Sequence, residues 1–572
     1  MKATVARELG RTDTPWPWRL VIAVTALLVV GDVIWYQAVR LGGPVDIDEA
    51  GYLASAFRSA PVGPLSGVAR ATVEIWKGGT NGPLLPMVTV PFQVLGGRGM
   101  GFSYLPNLGF FALLVFVIYG LARRFSPPWW SAFAAVLVAT APAITDYSRH
   151  YHFAVPSTAL FAFSVLALVR SERFQHRTWS IAFGVGLGLT VLSRTIMVAF
   201  APGLVLAAAL ACARASGAQR RRAWSDLVLS LVVALVVAGS WYLFSWHRVL
   251  DYLTGFGYGP ESYTFGATSI VSFQFWFSDL VNVVSFGFYV PLAVLLVLGA
   301  VVGWHSVRRT GDAFGRAWRS DAALVAVPLA VGFLALLTSR NTGSAFVLPL
   351  IPLIVVLVVA LVARIPASTF RNGLVVAMLV VCAGNVAMKS GAFPRLAEPR
   401  LAWSSDWGGL PVTDGRPLIV AYIYYSDYPL GPRVDRVPPL HNGWLPAGEE
   451  LARRLDEAVP DQLPDVVFTF QGAMFNTNTV LLGEVRNGLP ATSLRVVPQP
   501  GLYDEIPLAA HLRSMRAAGV NAVVTGPVFE SPYGNSVPSA TAAAAAADAG
   551  FVRQSSVRLP DGQEAVIWVA RP

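Results

Sequence analysis

Three carboxylates stand within four residues in the segment Asp46-Ile47-Asp48-Glu49, just after the first strongly apolar stretch of the chain. A carboxylate can take the proton from an attacking hydroxyl, which is general-base catalysis. Asp46 and Asp48 also offer the oxygen ligands that a divalent cation such as Mg²⁺ or Mn²⁺ prefers. Because charges are costly in hydrocarbon, we expect the cluster at the water-facing mouth of a helix bundle. A solvated turn beside the membrane is the alternative interpretation.

Three arginines stand at or near the ends of apolar runs, namely Arg149, Arg194 and Arg340. The topology derived below assigns all three to the outer side, against the usual bias of basic residues towards the cytoplasm. Guanidinium groups at such positions suit an anionic lipid phosphate. His150 and His152 follow Arg149, and this short loop can bind phosphate or a metal. The alternatives are an interfacial belt of aromatic and basic residues, or arginines that snorkel to the membrane surface.

A long segment, residues 245–279, combines many aromatic side chains with a few polar ones. Loops of this length are uncommon without a role, and aromatic faces suit a sugar or a polyprenyl chain. Glu261 is the candidate for a second acid in this predicted outer loop. For residues 273–277 an amphipathic interfacial helix is the interpretation that we favour.

The composition defines the class of protein that carries these residues. The chain has 572 residues, of which 54% are hydrophobic and 13% are charged. Soluble domains carry about 25% charged residues, so the composition predicts a polytopic membrane protein. The net charge of +10 does not indicate nucleic-acid binding, because most Lys and Arg fall in short loops between apolar runs. The two cysteines, Cys212 and Cys382, allow neither a disulfide framework nor a thiolate metal site.

Eleven apolar stretches are predicted to span the membrane. They are residues 20–39, 108–122, 130–144, 154–169, 181–192, 198–211, 227–244, 290–304, 322–337, 346–363 and 374–388. We treat residues 82–94, which contain three prolines, as a broken helix on the outer face. Nearly every basic cluster then lies in the cytoplasm together with residues 1–19, and the acidic segment lies in a first outer loop, residues 41–104. The transmembrane domain is residues 20–390.

From residue 391 to residue 572 the composition becomes that of a soluble domain. Short apolar strands are predicted at residues 418–423, 466–470, 494–497, 522–524 and 565–569, and they alternate with helical segments at residues 449–458 and 508–518. This alternation predicts an α/β domain. No glycine-rich phosphate loop follows any of these strands, so nucleotide binding is not indicated. Because the N-terminus is predicted in the cytoplasm and the number of predicted spans is odd, the domain is placed outside the cytoplasm, on the side of the acidic cluster.

The segment Asp48-Glu49 with Tyr52 resembles the first-loop acidic motif of GT-C membrane glycosyltransferases, and within them it is most similar to the protein O-mannosyltransferase and lipid A aminoarabinose transferase group. Further segments that resemble motifs of this group are Asn81-Gly82-Pro83-Leu84, Ala122-Arg123-Arg124-Phe125, Ser148-Arg149, Ser193-Arg194 and Ser339-Arg340 with Val347-Leu348-Pro349. The resemblance covers about residues 20–365. Ala154-Val155-Pro156 departs from it where an acidic residue is usual, and residues 79–82 lack the usual lysine.

The resemblance implies transfer of a sugar from a polyprenyl-phosphate donor to an acceptor hydroxyl of a cell-envelope glycan, lipid or protein, with inversion of the anomeric centre. It implies Asp48 as the base, with Glu49 orienting the base or the acceptor. The implied donor-phosphate ligands are Arg149, Arg194 and Arg340, the implied substrate contacts are Tyr52, His150, His152 and Glu261, and Asp46 with Asp48 form an optional metal site.

Two other functions fit a polytopic protein. A transporter or flippase of a lipid-linked saccharide would be expected to show charged or broken helices near the midplane, or an internal repeat. The sequence displays neither, since the predicted spans are almost free of Asp and Glu. A membrane scaffold that displays the C-terminal domain would not explain the acidic cluster.

Overall fold

The computed structural model describes residues 15–40, 45–58, 65–77, 79–97, 99–259, 273–309, 320–339, 344–390, 400–403, 419–422, 443–460, 463–472, 475–489, 492–497, 507–527 and 537–571. The chain divides into two compact units. The first consists of Met1–Ile34, Val73–Val88 and Tyr104–Ser426, and the second of Trp35–Thr72, Thr89–Ser103 and Asp427–Pro572.

Helices make up the described part of the chain as far as residue 390. They are α1 (Trp16–Trp35), α2 (Ile47–Arg58), α3 (Leu65–Lys77), α4 (Leu84–Gly96), α5 (Met100–Ser103), α6 (Leu105–Ala122), α7 (Pro128–Ala139), α8 (Pro142–Ser148), α9 (Ala154–Arg170), α10 (Arg177–Ser193), α11 (Met197–Ala213), α12 (Gly217–Tyr258), α13 (Phe273–Arg308), α14 (Ala322–Leu337), α15 (Ser344–Val347), α16 (Ile351–Val362) and α17 (Thr369–Lys389). Single turns of π-helix (Tyr36–Arg40) and 3₁₀-helix (Leu348–Leu350) adjoin α1 and α16.

Six of the helices in the described part of the chain are long and apolar enough to cross a bilayer, or seven if α7 and α8 form one span bent by 61°. Pro142 begins α8 at this bend, where a proline lacks the N–H that would continue the preceding helix. Four more apolar helices, α4, α9, α11 and α14, are shorter. A polytopic helical membrane protein is therefore confirmed.

Each predicted span contains a helix, and α14 has the predicted bounds of residues 322–337. The predicted loop at residues 245–279 is wrong at its start, because α12 continues to Tyr258. At its end, α13 begins at Phe273, where a helix was the favoured interpretation for residues 273–277. The prediction equated the end of an apolar run with the end of a helix. Inside α13, Tyr289 has a positive φ of 57°, two residues before Pro291, and this marks a kink.

Small residues let the helices of the first unit approach closely. A Cβ on Gly184 of α10 would lie 2.3 Å from the carbonyl oxygen of Ser230 on α12, and one on Gly303 of α13 would lie 2.6 Å from that of Leu361 on α16. The Ser230 hydroxyl donates to the Ser180 carbonyl oxygen at 2.7 Å across the α10–α12 contact. Close backbone approach and interhelical hydrogen bonds are what hold helices together in lipid, where the hydrophobic effect between them is weak.

The C-terminal part of the second unit is an α/β domain. Its elements are α18 (Trp444–Ala458), β3 (Asp465–Phe468), α19 (Thr477–Asn487), β4 (Ser493–Val496), α20 (Leu508–Ala517), β5 (Ala522–Thr525), α21 (Ser539–Asp548), β6 (Phe551–Arg558) and β7 (Glu564–Ala570). The strand order is β4-β3-β5-β7-β6, with β3 parallel to β4 and β5, and with β7 antiparallel to its neighbours β5 and β6. Residues alternate between the two faces, so Val466 and Phe468 pack in one core and Val467 in the other.

Four of the five predicted strands belong to this sheet. The fifth, at residues 418–423, is β2 (Ile419–Tyr422), which pairs antiparallel with β1 (Arg400–Trp403) in a separate two-stranded sheet. Strand β6 and helix α19 were not predicted from the sequence. The polar run Arg553-Gln554-Ser555-Ser556 hides the strand pattern of β6, and its first two residues are solvent-exposed.

Candidate active site

The acidic segment forms the start of α2 in the second unit. Asp46 caps the helix, because its Oδ1 accepts a hydrogen bond from the Glu49 backbone N–H at 2.9 Å. Asp48 is exposed in the first turn, Glu49 is fully buried and Tyr52 is half-buried. Acidic residues in a first turn also interact favourably with the helix dipole, so part of this pattern is structural. Asp48 is therefore the most exposed of the three carboxylates.

Helix α2 packs against α19 of the α/β domain, within the second unit. Leu53, Ala54 and Phe57 of α2 are buried. At the N-terminal end of α2, the Asn478 side-chain amide of α19 donates to the Ile47 carbonyl oxygen at 2.7 Å. The acidic segment is therefore fixed to a folded domain, and is not a solvated turn.

Arg149 lies in a buried polar cluster of the first unit. Its Nε donates to Asp32 Oδ1 at 2.7 Å, and its terminal nitrogens donate to the Lys389 carbonyl oxygen at 2.9 Å and the Ser390 hydroxyl at 3.0 Å. Lys389 Nζ is in turn 3.2 Å from Asp146 Oδ2. These contacts join α1, α8 and α17 through two ion pairs. They give Arg149 a structural role, and its contact with a donor phosphate stays a prediction.

Arg194 follows α10, and its environment is different. One terminal nitrogen donates to the Ala345 carbonyl oxygen at 2.9 Å, and the guanidinium carbon lies 4.2 Å from the centre of the Phe346 ring. A cation over an aromatic face is attracted by the ring quadrupole, which holds the guanidinium in place without neutralising its charge. No salt bridge to Arg194 occurs among the described residues. Arg194 is therefore the better placed of the two arginines to hold an anion.

His152 is buried near Arg194, and its protonation state follows from its surroundings. Burial, then the positive charge of Arg194, and then His150, hold the pKa of His152 well below its usual range. His152 Nδ1 accepts a hydrogen bond from the Ala154 backbone N–H at 3.0 Å. The imidazole is therefore neutral near pH 7 with its proton on Nε2. Asn107 holds the same loop, because its side-chain amide donates to the carbonyl oxygens of His150 and His152.

A tight turn before α4 packs directly on the Arg194 backbone. A Cβ on Gly82 would lie 2.2 Å from the Leu192 carbonyl oxygen and 2.8 Å from the Arg194 backbone nitrogen. The Thr195 hydroxyl donates to the Thr80 carbonyl oxygen in the same contact. Two motif segments that are more than 100 residues apart in the chain, Asn81-Gly82-Pro83-Leu84 and Ser193-Arg194, thus lie together in the first unit.

We expect Gly82→Ala to destabilise the first unit, because the added methyl group meets backbone atoms that cannot turn aside. Overpacking of this kind costs about 1–3 kcal/mol. Thermal unfolding of the purified protein in detergent measures the effect. Gly109→Ala is the matched control, since a Cβ there meets no atom within 4 Å. Equal melting temperatures for the two variants would contradict the close approach of Gly82 to Arg194.

The optional metal site finds little support in the residues present. No group of three or more His, Cys, Asp or Glu side chains in the described part of the chain is arranged to hold a metal ion. Asp46, one of the two predicted ligands, has Oδ1 engaged with the Glu49 N–H. We therefore assign no chemical step to a metal.

The predicted site residues fall in three groups. Asp46, Asp48, Glu49 and Tyr52 lie together in the second unit, and Arg149, Arg194, His150 and His152 lie in the first. Arg340 and Glu261 lie outside the described residues.

Four residues that make these contacts were not predicted from the sequence, namely Asp32, Asn107, Lys389 and Asn478. A signal existed for Asp32, because it is the one acidic residue inside the first apolar stretch, and ionisable residues within spans are rare and usually paired.

Comparison with known proteins now adds to this geometry. The model of the dolichyl-phosphate-mannose-protein mannosyltransferase family matches residues 82–242, which begin at the Gly82 turn and include Arg149 and Arg194. No curated relative matches the sequence.

The chain is also similar over nearly its whole length to solved structures. ArnT from Cupriavidus metallidurans bound to undecaprenyl phosphate is 16% identical with a TM-score of 0.58, and the match covers 98% of this chain and 100% of that one. The arabinofuranosyltransferase AftD from Mycobacteria is 12% identical with a TM-score of 0.54, and the match covers 96% of this chain and 40% of that one. At this identity the likeness shows the fold. The GT-C type of fold that the motif resemblance predicted is confirmed.

Proposed function

We propose that this GT-C membrane protein is a glycosyltransferase that moves a sugar from a polyprenyl-phosphate donor to a hydroxyl group of a cell-envelope acceptor. The observation that carries the proposal is Asp48, an exposed carboxylate in the first turn of a capped helix that packs on a folded domain. Its place in the first loop of a GT-C fold is where the motif resemblance puts the base. The structure of ArnT with undecaprenyl phosphate supports a lipid phosphate as the donor class.

In the proposed reaction the acceptor oxygen attacks the anomeric carbon of the sugar. As the new C–O bond forms, the bond from the anomeric carbon to the phosphate oxygen breaks, and the polyprenyl phosphate leaves with the bonding electrons. The hydroxyl proton passes to the Asp48 carboxylate. Glu49, buried beside Asp48, orients the base, and Tyr52 contacts the substrate. Attack opposite the leaving group inverts the anomeric centre.

Arg194 is the proposed cation for the leaving phosphate, because fixed positive charge stabilises the negative charge that develops there. Its stacking on Phe346 and its bond to Ala345 hold the guanidinium in place before the substrate arrives. His152, neutral with a proton on Nε2, can donate a hydrogen bond to the same phosphate. Arg149 and Arg340 stay predicted ligands of the donor phosphate, and His150 and Glu261 stay predicted substrate contacts.

We further propose that Asp48 and the C-terminal α/β domain lie outside the cytoplasm. The support is the charge bias of the loops, which places nearly every basic cluster on the opposite side of the membrane. Labelling of single cysteines introduced into β6 and β7, with a reagent that does not cross membranes, tests this sidedness.

The function is tested with the purified full-length protein in proteoliposomes. Radiolabelled mannose or arabinofuranose linked to undecaprenyl phosphate serves as the donor, and a detergent extract of envelope glycolipids serves as the acceptor. The expected result is loss of label from the donor lipid and its appearance in the acceptor, or slowly in water as free sugar. Movement of intact donor between leaflets without cleavage would favour a flippase instead. If neither donor is cleaved, the proposal fails for both sugars.

A further inference from the structure

Helix α19 of the C-terminal domain is unusually well fixed. The Asn476 side chain caps its N-terminus by accepting from the backbone N–H groups of Asn478 and Thr479, at 2.9 and 3.1 Å. Gly488 ends the helix in the left-handed conformation with a φ of 70°, and the Leu489 N–H donates to the Glu484 carbonyl oxygen at 2.9 Å. Backbone groups at both ends of α19 therefore find hydrogen-bond partners within the domain.

Two glycines allow α19 to pack closely against α18. A Cβ on Gly483 would lie 2.8 Å from Glu449 Cα, and a Cβ on Gly448 would lie 2.9 Å from Thr479 Cγ2 and 3.0 Å from its carbonyl oxygen. The two backbones are thus in direct contact, and Arg486 of α19 adds an ion pair to Glu449 at 2.8 Å. Such an interlocked pair is a rigid platform for a third helix.

That third helix is α2, and one of its contacts with α19 lies next to Asp48. The Asn478 amide donates to the carbonyl oxygen of Ile47, the residue immediately before Asp48. Gly51, one turn further along α2, makes room for this amide, since a Cβ at Gly51 would lie 2.9 Å from Asn478 Nδ2. The sequence distance between Ile47 and Asn478 is 431 residues, so the bond links the first loop to the C-terminal domain.

We propose that Asn478 is a positioning residue for Asp48, by which the C-terminal domain sets the orientation of the α2 first turn. The inference rests on the proposed function, because it gives Asn478 a catalytic effect only through the Asp48 carboxylate. A base acts well only when it is held within about 0.5 Å of its working geometry. The Asn478–Ile47 bond, together with the Asp46 cap, supplies that constraint at the backbone on both sides of Asp48.

The test compares Asn478→Ala, Gly51→Ala and the double variant in the proteoliposome assay. Each single variant removes the same hydrogen bond, one by deleting the amide and one by displacing it. We expect each to lower kcat about 10-fold, with KM for the donor lipid unchanged. Because both changes break one interaction, the double variant should also lose about 10-fold, and not the 100-fold of independent effects. Asn478→Asp, which keeps the shape but loses the donor, should behave like Asn478→Ala.

Asn487→Ala is the matched control, because Asn487 is exposed at the other end of α19 and its amide donates to the Glu449 carbonyl oxygen, away from α2. It should leave kcat and the melting temperature unchanged. Gly51→Ala replaces a helical glycine by a better helix former, so its loss of kcat should come without a loss of thermal stability. Additive losses, or losses of kcat that follow the melting temperature, would overturn the positioning role.

The Asp48→Asn variant distinguishes a failure of the positioning role of Asn478 from a failure of the proposed function. If Asp48→Asn is inactive while Asn478→Ala and Gly51→Ala have wild-type kcat, the positioning role is wrong and the proposed function stands. If Asp48→Asn has wild-type kcat, the assignment of the base is wrong and the role of Asn478 falls with it.

Discussion

Asp48→Asn is expected to lower the rate of sugar transfer by about 10²- to 10⁴-fold, the usual contribution of a general base. Asparagine keeps the shape of the side chain but cannot accept the proton of the attacking hydroxyl. The helix itself should persist, because Asp46 supplies the cap and Asn478 holds the Ile47 carbonyl oxygen. Binding of undecaprenyl phosphate should also persist, since the proposed phosphate ligand is Arg194. The variant should therefore lose kcat while it keeps its affinity for the lipid.

The measurement pairs the transfer assay with binding of undecaprenyl phosphate, followed as a rise in melting temperature. Asp548→Asn is the matched control, because Asp548 is an exposed carboxylate at the end of α21 in the α/β domain. It should have wild-type kcat. Wild-type transfer by Asp48→Asn, at normal expression and stability, would contradict the mechanism. A parallel loss of lipid binding would assign Asp48 to the binding of the donor instead of proton transfer.

Local patterns in the sequence were enough to identify the acidic segment and the class of fold. A long apolar run in a membrane protein predicts a helix, because its backbone groups must be satisfied within the segment. This is why α14 was predicted with its observed bounds. The same rule failed at residues 245–279, because α12 continues as a helix beyond the end of its apolar run, to Tyr258.

Partners that are far apart in the chain were not predictable from local patterns. Asp32 and Arg149 are separated by 117 residues, and Ile47 and Asn478 by 431. The local sequence around a residue does not specify its distant partner. The type of a side chain determines which groups it can bind, but only the packed fold determines which of these groups lies beside it. The structural role of Arg149 followed from the fold alone. In the sequence, Arg149 and Arg194 looked alike, because each follows a serine near the end of an apolar run.

The second large effect is expected at the buried ion pair of Asp32 and Arg149. Asp32→Asn should destabilise the protein by about 3–5 kcal/mol, because it leaves the Arg149 guanidinium buried without its counter-charge. Asp32 also accepts from the Ser148 hydroxyl at 2.9 Å, so two donors lose a strong acceptor. The cluster then holds two cations, Arg149 and Lys389, against the single carboxylate of Asp146.

The exposed pair of Arg553 and Glu564, on β6 and β7, is the matched control. Its side chains are 60% and 51% exposed, whereas those of Arg149 and Asp32 are 6% and 5% exposed. Glu564→Gln should therefore cost no more than about 1 kcal/mol. The midpoint of denaturant-induced unfolding in detergent micelles measures both variants.

A double variant decides whether the cost comes from the unpaired charge. Asp32→Asn combined with Arg149→Gln removes both charges, so it should be more stable than Asp32→Asn alone, since the buried cation is gone. If the double variant is less stable than either single variant, the cluster acts through packing and not through charge. If Asp32→Asn costs no more than Glu564→Gln, then Arg149 has another counter-charge in the folded protein. The predicted role of Arg149 makes a bound lipid phosphate the candidate for this second counter-charge. In that case, addition of undecaprenyl phosphate should raise the unfolding midpoint of Asp32→Asn more than that of the wild type.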